Sequence, residues 1–167
     1  MTKETYEKIA APLRRRPHVV NALKGINRAL TALCYVLYPL LLLYLYATGD
    51  GRFQCCLWVP AAGFLAVSLF RALYNAPRPY ERGIDSLMKK KTMGHSFPSR
   101  HVFSAFIIAL AWWSVAPGIG AALLCVGVLL AVIRVVGGVH DPRDVFGGAV
   151  AAGVVWWIGT RICSLLV

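Results

Sequence analysis

Between Ala29 and Ala47 the chain reads ALTALCYVLYPLLLLYLYA, without a charge and without a polar face. A helix that packs on one side and meets water on the other needs a polar stripe, and this stretch has none. Wound as a helix it is apolar all round and long enough for about 30 Å of hydrocarbon. The window extends over about 29–48, and similar nearly charge-free windows recur at about 53–75 and 145–167. Two shorter ones, at about 99–116 and 118–136, are separated sharply by Pro117 and Gly118. The expected fold class is all-α: a polytopic membrane helix bundle of about five transmembrane helices. A hydrophobic share of 58% over 167 residues supports one membrane domain rather than a soluble bundle.

The chain divides at the start of the first span. Residues 1–28 read as a cytoplasmic or interfacial N-terminal segment, and 29–167 as the transmembrane domain. MTKETYEKIAAPLRRRP is charged, broken by Pro12 and Pro17, and expected to lie on the surface. From His18 to Arg28, Val19, Val20, Leu23 and Ile26 recur at helical spacing with Asn21, Lys24, Asn27 and Arg28 between them. That pattern predicts an interfacial amphipathic helix running into the first span, with its basic residues toward anionic headgroups. No early apolar region with a small-residue cleavage site is visible, so no cleavable signal is expected.

Net charge is +11. In a soluble chain this would raise nucleic-acid binding, but its distribution points to membrane orientation and no nucleic-acid partner is expected. If five helices alternate, the N-terminal segment, the loop at about 76–98 and the loop around 137–144 share one side. That side receives sixteen basic residues, from Lys3 and Lys8 through Arg134 and Arg143, against Arg52 and Arg161 on the other. The positive-inside rule puts the rich side in the cytoplasm of a cell membrane. The Lys89-Lys90-Lys91 run reads as a solvated or lipid-facing face. Cys34, Cys55, Cys56, Cys125 and Cys163 fall in or beside spans without metal-ligand spacing, so neither a disulfide framework nor a zinc site is indicated.

Three polar stretches interrupt this pattern. RVVGGVHDPRD, from Arg134 to Asp144, places Asp141 and Pro142 as N-cap and first helical residue of a new helix, with Asp144 in its first turn. His140 then lies one turn back, where the carboxylate can fix its tautomer and leave the other ring nitrogen free to attack or take a proton. A helix–helix loop with a cap and a satisfied histidine would account for the same residues. HSFPSRH, from His95 to His101, puts Ser99 after Pro98 as an N-cap, and Ser99, Arg100 and His101 at a helix N-terminus suited to an anion. Arg71 near the end of the second span, taken alone, reads better as snorkelling than as a residue with a task, and Arg78 with Pro79 follows it.

Together, Arg71-x6-Arg78-Pro79, Pro98-Ser99-Arg100-His101 and Arg134-x5-His140-x3-Asp144 resemble the three-part signature of the type 2 phosphatidic acid phosphatase superfamily: Lys-x6-Arg-Pro, Pro-Ser-Gly-His and Ser-Arg-x5-His-x3-Asp. The resemblance covers about residues 53–160. It implies a membrane-bound lipid phosphatase that needs no metal or other cofactor. His140 would be the nucleophile carrying a phosphohistidine, Asp144 its orienting carboxylate, and His101 the general acid. Arg71, Arg78, Ser99, Arg100 and Arg134 would bind the substrate phosphate.

Three positions depart from the pattern. Arg71 replaces lysine, keeping charge while adding bidentate reach. Arg100 replaces glycine, so its side chain either turns away or adds a fourth cation for a bulkier or diphosphate substrate. Ile133 stands where the family has serine. Family members commonly have six spans, and the one absent here would be the first; with the N-terminus inside, that turns the motifs toward the cytoplasm. The implied partners are membrane lipids and a lipid phosphate: phosphatidic acid, phosphatidylglycerol phosphate, polyprenyl diphosphate or a polyprenyl-linked phosphosugar. A non-catalytic lipid-phosphate binder that has kept the pocket is the alternative.

Overall fold

The computed structural model describes residues 1–88 and 92–166, so the Lys89-Lys90-Lys91 run lies outside the described residues. Six α-helices follow one another: α1 (Lys3–Arg14), α2 (Pro17–Ala47), α3 (Phe53–Tyr74), α4 (Arg100–Trp113), α5 (Pro117–Val136) and α6 (Pro142–Leu166), with one 3-10 turn at Pro79–Arg82. By length and apolar composition α2, α3, α5 and α6 can each cross a membrane. The fifth span, α4, has only 14 residues, about 21 Å at the usual helical rise. It need not match the bilayer, because it packs against α2, α3, α5 and α6 and is exposed only at Arg100 and Trp113.

Large apolar side chains point outward from the surrounding helices, among them Tyr35, Leu43, Leu65, Leu73, Phe146 and Trp157. In water such a surface would aggregate; in hydrocarbon it is the solvated face. The protein is an integral membrane protein. Inside the ring, Phe103, Ile107, Ala109 and Leu130 pack with Val67 and Ala152. Where lipid tails are as apolar as leucine, close packing and hydrogen bonds hold helices together. Tyr38 Oη donates to Cys56 O at 3.1 Å, joining α2 to α3, and Trp112 Nε1 donates to Leu37 O at 3.1 Å, joining α4 to α2. A Cβ at Gly148 of α6 would lie 2.7 Å from Ser99 O, so glycine lets the start of α4 approach α6.

The helix from His18 runs into the first span as expected: Pro17 takes an initial helical position, and the two form one continuous helix, α2. The charged segment before it differs from expectation, being itself helical, with Pro12 tolerated in the last turn of α1. Its buried face is Tyr6 and Ala10, one turn apart. Tyr6 Oη accepts from Leu87 N at 3.0 Å, and Ser86 Oγ donates to Gly138 O at 2.7 Å. Gly138 has φ +68°, and a Cβ there would meet both Tyr6 and Ser86. In this way α1 and residues 84–88 clamp the loop that joins α5 to α6.

Candidate active site

The ends of α3 and α5 and the starts of α4 and α6 lie at the same end of the bundle as α1, which brings the three polar stretches together. Helix α3 stops at Asn75, whose left-handed backbone (φ 41°) lets its N–H bond Arg71 O at 3.0 Å. Asn75 Oδ1 then accepts from His95 N at 3.2 Å, and Ser96 N donates to Ala76 O at 2.9 Å. The end of the second span thus sets the position of the second motif, 20 residues on.

Arg71 and Arg78 are held by carbonyl oxygens rather than by carboxylates. Arg71 is buried, and its Nη1 donates to Ser96 O at 3.3 Å and to Pro98 O. Snorkelling does not describe it: the guanidinium turns into the protein. Arg78 Nε donates to Gly94 O at 2.9 Å. Glu81, a residue that spacing gave no reason to select, accepts both Arg78 N at 2.8 Å and Gly94 N at 2.7 Å. Arg134 is 2% exposed, and its Nε is buried without a hydrogen-bond partner among the described residues.

Helix α4 begins where expected, with Ser99 O accepting from Phe103 N at 2.9 Å. The hydroxyl does not make the anticipated cap bond; Ser99 Oγ is buried and unpaired among the described residues. Ser99 N instead donates to Asp144 O at 2.8 Å, tying α4 to α6. Asp141 likewise stands at the start of α6 but does not cap it with its side chain. Its carbonyl accepts from Asp144 N at 2.9 Å, while its carboxylate is taken by Arg82 and, at 2.8 Å, by the amine of Met1. The reciprocal half of a capping box is present: Asp144 Oδ2 accepts from Asp141 N at 3.0 Å.

His140 is 2% exposed, and its Nδ1 lies 3.4 Å from Asp144 Oδ2. Ser96, fully buried, sits between them: its hydroxyl donates to Asp144 Oδ2 and lies 3.3 Å from His140 Nδ1. Ser96 stood unremarked in HSFPSRH, since nothing in its spacing announces a contact 48 residues away. Burial pushes the His140 imidazole down to about 4; the bond to Asp144 works against this, while Arg134 and Arg78 reinforce it. His140 is therefore neutral near pH 7, which leaves one ring nitrogen with a free lone pair.

Arg100 and His101 line a narrow cleft of about 70 Å³ together with Tyr35 of α2, Phe64 of α3 and Ser104 and Ile108 of α4. The Arg100 guanidinium rests over the Phe64 ring, 5.7 Å from its centroid. It turns toward α3 at the rim, while remaining within electrostatic reach of Arg71. A much larger apolar cavity, about 830 Å³ between α3 and α6, is lined by Cys55, Trp58, Trp156 and Cys163 and by none of the motif residues. It lies toward the other end of those helices.

The family model described as the PAP2 superfamily matches residues 14–165. Undecaprenyl-diphosphatase BcrC of Bacillus subtilis (strain 168) is 28% identical over 153 residues, which is 89% of this chain and 79% of that protein. A protein of Escherichia coli (strain K12) described as the putative undecaprenyl-diphosphatase YbjG is 33% identical over 135 residues, 74% of this chain and 65% of that one. Among solved structures, that of Aquifex aeolicus LpxE superposes with a TM-score of 0.71 at 25% identity, covering 95% of this chain and 93% of LpxE. A PAP2-type phosphatidylglycerolphosphate phosphatase from Bacillus subtilis has the same fold, with a TM-score of 0.70 at 19% identity over 98% of this chain and 87% of that one.

Proposed function

The chain belongs to the PAP2 superfamily and is a lipid phosphatase; on that premise we propose that it hydrolyses its substrate without a metal, through a phosphate bound covalently to His140. The observation that carries this reading is the imbalance around His140. Arg71 and Arg78 donate to carbonyl oxygens, Ser99 Oγ and Arg134 Nε are unpaired among the described residues, and the Asp144 carboxylate beside His140 is already engaged by Ser96 and Asp141. A tetrahedral anion supplies the acceptors that these donors lack.

In the proposed reaction the lone pair of His140 Nε2 attacks the terminal phosphorus, forming a P–N bond as the P–O bond to the leaving group breaks; that group is the lipid alcohol of a monophosphate or the lipid monophosphate of a diphosphate. His101 gives its proton to the departing oxygen. Asp144 stabilises the positive charge of the phosphorylated ring. A water molecule then attacks phosphorus, His101 takes its proton, the P–N bond breaks and inorganic phosphate leaves. The three guanidiniums and Ser99 neutralise the phosphoryl oxygens throughout, the positioning and charge stabilisation on which phosphoryl transfer depends.

The favoured substrate class is a polyprenyl diphosphate, ahead of phosphatidic acid, phosphatidylglycerol phosphate and a polyprenyl-linked phosphosugar. Two relatives carry undecaprenyl-diphosphatase names. Arg100, which lines the same cleft as His101, supports this reading by adding a cation that a second phosphate could use. Purified protein in detergent, without added metal, should release phosphate from these lipids and be insensitive to chelator. His140→Ala should end release, and Arg100→Gly should lower diphosphate turnover more than monophosphate turnover. Release that survives His140→Ala but stops with chelator would overturn the mechanism. Tight lipid-phosphate binding without release would leave a binder instead of an enzyme.

The active site faces the cytoplasm in this reading, following the sixteen-to-two distribution of basic residues. A reporter fused after Val167 should then lie on the opposite side, and cytoplasmic fluorescence from it would reverse the orientation.

A further inference from the structure

We propose that Ser96 is a positioning residue that sets which nitrogen of His140 carries the proton. The inference rests on His140 being the nucleophile. A hydroxyl has one proton to donate and two lone pairs that accept. Asp144 Oδ2 is a carboxylate oxygen and can only accept, so the Ser96 proton goes there. Toward His140, Ser96 Oγ is then left as an acceptor, and the neighbouring Nδ1 has to be the N–H. That places the lone pair on Nε2, the nitrogen that attacks.

The distances say why two acceptors are needed. Nδ1 is 3.3 Å from Ser96 Oγ and 3.4 Å from Asp144 Oδ2, and each is long for a single strong bond to a ring N–H. The proton is shared in a fork, and neither acceptor holds it alone. Charges facing the ring do not replace this control. Besides Asp144 on α6, they are Arg134 from α5 and Arg78 from the loop after α3, with Arg71 bound to the backbone of residues 96 and 98. Those cations attract a phosphate but supply no acceptor for Nδ1–H. When the P–N bond forms at Nε2 the ring becomes cationic and keeps its Nδ1 proton, so the same fork serves the intermediate.

The Ser96 side chain can be removed without freeing the loop, since the backbone is fastened separately through Ser96 N to Ala76 O and Arg71 Nη1 to Ser96 O. Ser96→Ala should therefore fold. It is expected to lower kcat by about tenfold to a hundredfold, the range typical of groups that orient a functional histidine, with KM changed less than about twofold. Combined with Asp144→Asn it should add little to the loss from Asp144→Asn alone, because the two act on one proton. In protein labelled with 15N-histidine, the His140 signal, identified by its disappearance in His140→Gln, should show one tautomer in the wild type and a mixture in Ser96→Ala. An unaltered kcat, a fully additive double variant, or a lower kcat with an unchanged tautomer would each overturn the proposal. Trapping radiolabelled phosphate on the protein separates the two readings. If the wild type takes up no label on His140, the nucleophile assignment fails; if wild type and Ser96→Ala label equally fast, the role of Ser96 alone fails.

Discussion

The two ends of the bundle hold their charges in opposite ways. At the turn between α2 and α3, Arg52 meets Asp50 at 2.6 Å, close to the surface, and the guanidinium hydrogen-bonded to that carboxylate holds it down to about 2. Cation and anion satisfy each other there, and water screens what is left. At the other end Arg71, Arg78 and Arg134 are buried, the first two on carbonyl oxygens, with positive charge in excess. Burying unbalanced charge is costly, and the cost falls when an anion arrives. One end is an electrostatically finished structure, and in the proposed function the other is completed by its ligand.

That contrast can be broken most sharply at His140. His140→Gln should lower phosphate release by roughly a thousandfold or more while the protein still binds lipid phosphate, read from release kinetics and equilibrium binding. Next, Arg134→Gln removes a buried cation without a carboxylate partner. It should reduce kcat/KM by about a hundredfold, as losses of single charge-stabilising donors do, and should leave the protein no less thermally stable when no ligand is bound. A large drop in unliganded stability would mean that this arginine holds the fold instead.

The pH profile is the third test. His140 attacks only when neutral, and its ordinary value near 6.5 is depressed to about 4. The enzyme should therefore keep its nucleophile as pH falls from 7 to 5, and kcat/KM should lose about half its value only near pH 4. A limb at 6.5 would show a solvated ring. The smallest effect belongs to the far end: Asp50→Asn should change turnover by less than about twofold, because an exposed pair remote from the site contributes little.

The spans were legible because lipid imposes a length and forbids charge, so windows of sequence map onto α3, α5 and α6 within a few residues and onto the C-terminal part of α2. Helix α4 was marked by Pro98 before it and by Pro117 after it, yet its enclosure by the other helices was not, since being short says nothing about neighbours. Spacing also nominated His140, Asp144, Ser99 and the three arginines, which the fold places at one end. What it could not supply were contacts made across the fold. Tyr6 looked like one more residue of a charged surface segment, and its burial depends on the shape of the 137–141 loop. Ser96 and Glu81 resemble ordinary loop residues until residues far along the chain are brought beside them. The side chains of Ser99 and Asp141 were legible as caps, but Asp141 is taken by Arg82 and the amine of Met1, and Ser99 Oγ is buried unpaired among the described residues, neither of which local propensity contains.

Helix α4 meets lipid almost nowhere, and this bears on how the enzyme behaves in membranes of different composition. A thicker or thinner bilayer acts on the tilt of the helices that touch it. The helix that presents Ser99 and His101 sits inside that ring like an axle inside a wheel, seated by side-chain packing. Mismatch between protein and host lipid therefore acts first on the peripheral helices, and the helix carrying His101 keeps its place through its own packing.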